Sequence, residues 1–112
     1  MSKFMQLTVT VRPCYQGDLE GTYPKLARHL EHLDSSLENR NPSLYELTGQ
    51  LDQLLFRLEG TQLREVLIRH GKKLRNLHKA IQENIADWNL ARADQLLYVI
   101  EDTFNEIESE LA

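Results

Sequence analysis

A single cysteine, Cys14, stands in the 112-residue sequence, so no internal disulfide can form. The simplest setting for such a chain is a reducing cytoplasm. No apolar run approaches the roughly 20 residues of a membrane span. The start has Lys3 but no apolar stretch ending in small residues, so no secretory leader is expected. There is no excess of positive charge: 13 Lys and Arg stand against 17 Asp and Glu, a net charge of −4, which argues against a protein built as a whole to bind polyanions. A glycine-rich phosphate loop is missing, as is any Ser/His/Asp arrangement in a motif context, and no catalytic residue or cofactor is expected. Helix breakers are few, with three prolines and five glycines, and they fall between periodic stretches rather than inside them, Gly71 excepted.

What is present divides into a short strand pattern and a long helical remainder. Met5, Leu7, Val9 and Val11 alternate with Gln6, Thr8, Thr10 and Arg12. This is the period-two signature of a half-buried β-strand. A lone strand must find an edge for its backbone groups. The cheapest edge is the same strand in a second copy of the chain, with the two paired antiparallel across a two-fold axis. Pro13 to Tyr23, with Gly17 and Gly21, reads as loop.

Four helices follow. The first starts at Thr22-Tyr23-Pro24, carries Leu26, Leu30, Leu33 and Leu37, and ends at Asn39–Pro42. The second spans about 43–59, with Ser43 and Glu46 at capping-box spacing, a Leu44–Leu58 leucine face and Gly60 after its end. The third spans about 61–86, with Leu63, Leu67, His70, Leu74, Leu77 and Ile81 at three- and four-residue steps. Gly71 in its middle marks a close helix contact or slight kink. The fourth runs from about 89 to 111 on a seam of Leu90, Ala93, Leu97, Ile100, Phe104, Ile107 and Leu111. The short link at Asp87-Trp88 makes the last two an αα-hairpin. Charge supports that pairing: Arg64 to Lys79 holds six basic residues against Glu65 alone, whereas from Asp94 onward there are six acidic residues and no basic one. The expected fold is mainly α: one domain, a strand arm at 1–12 and an antiparallel bundle of three to four helices at 24–111, with the N-terminal β-strand paired across a homodimer.

Several residues invite a chemical reading. His29 and His32 lie three apart and offer half of a metal site, but no second His or Cys pair has matching spacing, so two solvent-facing histidines is the favoured reading and no metal is assigned. His70 on an apolar face is expected to be half-buried and satisfied by a carboxylate or carbonyl. Cys14 has no local base. The basic run 64–79 could contact nucleic acid, yet it has no interleaved aromatic residue and has an acidic neighbour, so a solvated helix face is favoured. The acidic stretch Glu101–Glu110 matches no calcium loop.

A surplus of apolar residues outside the seams is more informative. Phe56, Trp88, Leu96, Tyr98 and Val99 exceed what a few short helices can cover, and an uncovered patch of this kind marks an interface.

The sixteen residues Glu83–Tyr98 hold an Asn-x-x-Asp-aromatic turn (Asn84, Asp87, Trp88) leading into Ala-Asp-x-Leu-x-Tyr (Ala93, Asp94, Leu96, Tyr98). This resembles a pattern in small helical bacterial proteins of unassigned function. The second to fourth helices are also loosely similar to the flagellar and type III export chaperones, which are small acidic bundles; their pattern has no N-terminal strand, and here this chain departs from it. The resemblance implies a binding role and identifies no catalytic residue. Taken together, the expected function is that of a non-enzymatic, cytoplasmic interaction module, an adaptor, regulator or export-type chaperone, acting as a homodimer on an unidentified protein, with no membrane and no nucleic-acid partner.

Overall fold

The computed structural model describes residues 8–13, 18–31 and 42–112. Among them lie six helices: α1 (Leu19–Thr22), α2 (Pro24–Glu31), α3 (Leu44–Gly49), α4 (Leu51–Arg57), α5 (Gln62–Ala86) and α6 (Leu90–Glu110). Helices α5 and α6 form the expected antiparallel hairpin, and α2, α3 and α4 pack on it. The mainly helical architecture follows from the leucine spacing. Leu63, Val66, Leu67, Leu74 and Ile81 of α5 meet Ala93, Leu96, Ile100, Phe104 and Ile107 of α6 in one core, closed by Leu26 and Leu30 of α2 and the leucines of α3 and α4. Full burial of each large aliphatic side chain contributes about 1.5–3 kcal/mol, so this core outweighs every surface pair described below.

Local signals fix the helix starts. The Thr61 hydroxyl accepts from the Arg64 N–H at 3.2 Å, and the Ser43 hydroxyl accepts from the Glu46 N–H at 3.0 Å. Helix α2 is capped from a distance. Pro24 occupies its first position, where a missing N–H does no harm. The next two amides, Lys25 and Leu26, donate to the two carboxylate oxygens of Glu108 at 2.8 and 2.9 Å. Tyr23 cannot perform this task, because its hydroxyl donates to Asn105 at 2.9 Å. The α6 terminus is held in return: Lys25 Nζ donates to the Leu111 carbonyl at 3.0 Å and Arg28 to the Ala112 carbonyl at 2.8 Å.

Four expectations are corrected. The strand assigned to Met5–Arg12 is not found among the described residues: 8–13 carry no strand, and Met5 and Leu7 lie outside them. Alternation supplies a face, but a strand also requires a neighbour's backbone, and the other described elements of the chain are helices that consume their own. Val11 is half-buried all the same. With Pro13 it lines a cavity of about 100 Å³ against Leu44, Tyr45, Leu97 and Ile100, so side-chain packing rather than a ladder holds this segment.

The Asp18–Tyr23 stretch, expected as loop, contains α1. Asp18 Oδ1 accepts from Gly21 N at 2.7 Å, and Leu19 anchors the turn in the core. The single helix expected at 43–59 is broken at Gln50, whose N–H is shared between the Glu46 and Leu47 carbonyls at 3.2 Å each. On α6 the seam is displaced by one residue in its first turns. Leu96 is buried, at 8% exposed, whereas Leu90 is 42% exposed and Leu97 half-buried. A straight helix advances 100° per residue, so the buried face drifts away from a strict heptad. Of the first helix's expected positions, His32, Leu33 and Leu37 lie outside the described residues.

Gly71 is buried within an uninterrupted α5. A Cβ there would lie 3.9 Å from Leu51 Cδ2 of α4 and 3.2 Å from Arg75 Nη1, so the glycine marks close helix contact and not a break.

Candidate interaction surface

The hairpin tip is the least covered part of the described chain. Seven consecutive residues, Ala86 to Arg92, are exposed. The α5 end closes in a Schellman motif: the Trp88 N–H donates to the Ile85 carbonyl at 3.0 Å and the Asn89 N–H to the Asn84 carbonyl at 2.8 Å. The motif places its C′ residue in the left-handed region, which strongly favours glycine. Here that residue is Trp88, with φ of 59°, and it is the only non-glycine residue with positive φ among those described. A bulky side chain in this conformation costs about 1–2 kcal/mol. The sole tryptophan of the sequence therefore occupies a strained position and leaves 51% of its surface in water.

The other expected surface residues divide. Phe56 on α4 is 82% exposed and Tyr98 on α6 is 60% exposed. Val99 is half-buried. Leu96 belongs to the core, as stated, and is withdrawn from the surface. Ile68 on α5 and Leu90 are exposed in addition. Tyr98 lies one turn from Asp94 and from Asp102, and Glu101 follows, so the aromatic ring on α6 stands in a carboxylate-rich setting. Tyr23, buried on the inner side of the same helix, has its phenol pushed above the ordinary value of 10.0, first by burial and then by Glu101, Glu108 and Asp102.

A second polar group lies between α3 and α5. The Tyr45 and His78 rings stack with centroids 4.5 Å apart and an interplanar angle of 16°. Asp52 accepts from Arg75 Nη2 at 2.6 Å beside them. Burial pushes the His78 imidazole below its ordinary 6.5, so the folded chain favours the neutral ring. A group held neutral in this way binds fewer protons folded than unfolded. Its contribution is complete above pH 6.5 and is lost as pH falls from there towards the folded value. The urea midpoint should therefore drop on going from pH 7 to about pH 5.5, and His78→Phe should show a smaller drop over the same interval in parallel titrations. An equal drop in both proteins would remove His78 as the source.

The remaining candidates are placed as follows. His70 is half-buried, with Nε2 2.8 Å from Glu110 Oε2 and Nδ1 3.9 Å from Glu106, so a carboxylate does satisfy it. His29 is half-buried on α2, and its expected companion His32 lies outside the described residues, as does Cys14. No group of three or more His, Cys, Asp or Glu able to hold a metal ion is found among the described residues. Part of the basic run on α5 is engaged: Arg64 donates to the Leu55 carbonyl at 3.1 Å, Arg75 pairs with Asp52, and Arg69 lies 4.0 Å from Glu110. No helix among the described residues is long and apolar enough to cross a membrane. No family model, curated protein or solved structure matches the chain.

Sequence reasoning finds Trp88 and Tyr98 but not the strain at Trp88. The signal was available: a two-residue link between long helices calls for a C′ residue in the left-handed region, and no glycine stands there.

Proposed function

We propose that this chain is a non-enzymatic protein-interaction module, an adaptor, regulator or export-type chaperone, that presents its hairpin tip and the outer face of α6 to another protein. One observation carries the reading: Trp88 is held exposed, in a conformation that glycine would adopt without strain. Strain retained at an exposed aromatic residue is the mark of a site whose geometry serves something other than stability. Tryptophan is also the side chain most enriched among residues that dominate binding energy. Leu90 beside it and Tyr98 further along α6 extend the apolar surface, and Asp87 and Asp94 give it an acidic border.

The test is a matched pair of properties of one variant. Trp88→Gly should raise the unfolding free energy by about 0.5–1 kcal/mol, because strain is removed and little buried contact is lost. The same variant, and Tyr98→Ala independently, should lose a protein that the wild type retains when cell extract is passed over the immobilised chain. If the wild type and both variants retain the same set of proteins, the tip is not the binding surface and the reading fails.

A further inference from the structure

The outer face of α5 is divided by charge along its length. Its first half carries Arg69, Lys72, Lys73 and Asn76, which with Leu77 line an open concavity. Ala80 follows at the centre, and Glu83 and Asp87 end the stripe. These positions share one face, because steps of three, four and seven residues return to the same side of a helix and Asp87 stands five full turns from Arg69. The charged members are all exposed, while Leu77 and Ala80 at the middle are half-buried. Lys72, Lys73, Glu83 and Asp87 make no ion pair among the described residues. Arg69 alone is drawn towards Glu110, at the 4.0 Å limit.

A helix face that is basic in one half and acidic in the other is complementary to itself when reversed. We infer that two copies of this chain associate through this face, with their α5 helices antiparallel about a two-fold axis at Ala80. In that register each Lys73 stands opposite Asp87 of the second copy, Leu77 stands opposite Glu83, and the two Ala80 residues meet. The small side chain at the axis permits close approach of the backbones. The symmetry repeats every contact and closes the assembly as a dimer. The occupant follows from charge: any other face of this acidic chain would set Lys72 and Lys73 against a different pattern, whereas the reversed face supplies two carboxylates at matching spacing. From Lys73 to Asp87 the contact runs about 21 Å along the helix. That is short of a standard interface, so the dimer is weak and forms at high concentration.

This surface is separate from the aromatic one, and the experiment keeps them apart. Sedimentation of the full chain over about 10 µM to 1 mM should show the mass rising from the 13.1 kDa monomer towards twice that value. Lys73→Glu should raise the dissociation constant more than tenfold, since it replaces two attractions with two repulsions. The double variant Lys73→Glu/Asp87→Lys should restore association to within about threefold of wild type, because both pairs are reversed together and still match. Trp88→Gly should remain a dimer. As a check on register, Ala80→Cys in a Cys14→Ser background should oxidise to a disulfide-linked dimer, and Lys72→Cys in the same background should not. A chain that stays monomeric to 1 mM overturns the inference, and so does a dimer indifferent to Lys73→Glu or not restored by the double variant. Neither outcome touches the interaction surface at the tip, which is tested by loss of a different protein.

Discussion

Glu108→Ala should lower the unfolding free energy by about 2–3 kcal/mol, although the residue is only half-buried and stands near the end of the last helix. The carboxylate satisfies the Lys25 and Leu26 amides at once, at 2.8 and 2.9 Å. Bonds of this kind, with a charged acceptor at the positive end of a helix, are stronger than neutral ones. Alanine leaves both amides without a protein acceptor at the start of an eight-residue helix, too short to be stable without tertiary support. The loss should also spread, because α2 sends Lys25 and Arg28 back to the Leu111 and Ala112 carbonyls and closes the core with Leu26 and Leu30. Urea unfolding at pH 7 checks the magnitude. Glu108→Gln separates the contributions: it keeps one acceptor oxygen and the side-chain volume but no charge, so it should lose roughly half as much. A change under about 0.5 kcal/mol in Glu108→Ala would show that water caps α2 as well as the carboxylate does. The carboxylate must be ionised to accept both bonds.

The origin of that contact explains which parts of the molecule could be read in advance. The hairpin of α5 and α6 was legible because each helix repeats its apolar spacing over five or more turns and the link is two or three residues long. His70 was legible in kind, since a polar ring on an apolar face requires a partner, and Glu110 provides one. Glu108 was not, because nothing local distinguishes it from five other carboxylates after Asp94; its meaning depends on an amide pair 82 and 83 residues away. The strand expectation failed for a related reason. The Met5–Arg12 alternation describes one face of an extended segment, while a strand is defined by what lies beside it, and over 8–13 the chain offers side chains of α3 and α6 instead. Leu96 was misplaced by a single residue of drift on α6, enough to move it from surface to core. In the candidate surface, residue types were readable and the backbone state of Trp88 was not, because propensity alone would put glycine there.

The break between α3 and α4 has a tertiary cause that a double-mutant cycle can expose. Gly49→Ala in a helix would ordinarily stabilise by up to about 1 kcal/mol. At this position a Cβ would lie 2.8 Å from Nε2 of His78, closer than real contacts permit. The imidazole is the end of a side chain and could in principle swing away, but it stacks on Tyr45 at 4.5 Å and would have to abandon that contact. The expected result is therefore inverted, with Gly49→Ala destabilising by about 1 kcal/mol in the wild-type background. In a His78→Ala background the obstruction is gone, and the same substitution should stabilise by about 0.5–1 kcal/mol. The coupling energy between the two sites would then be about 1.5–2 kcal/mol, well above the few tenths seen between independent positions. Stabilisation by Gly49→Ala in both backgrounds would mean that the ring gives way freely. The stack would then follow from the glycine and not enforce it, and the break at Gln50 would need a cause in the Gly49-Gln50 sequence itself.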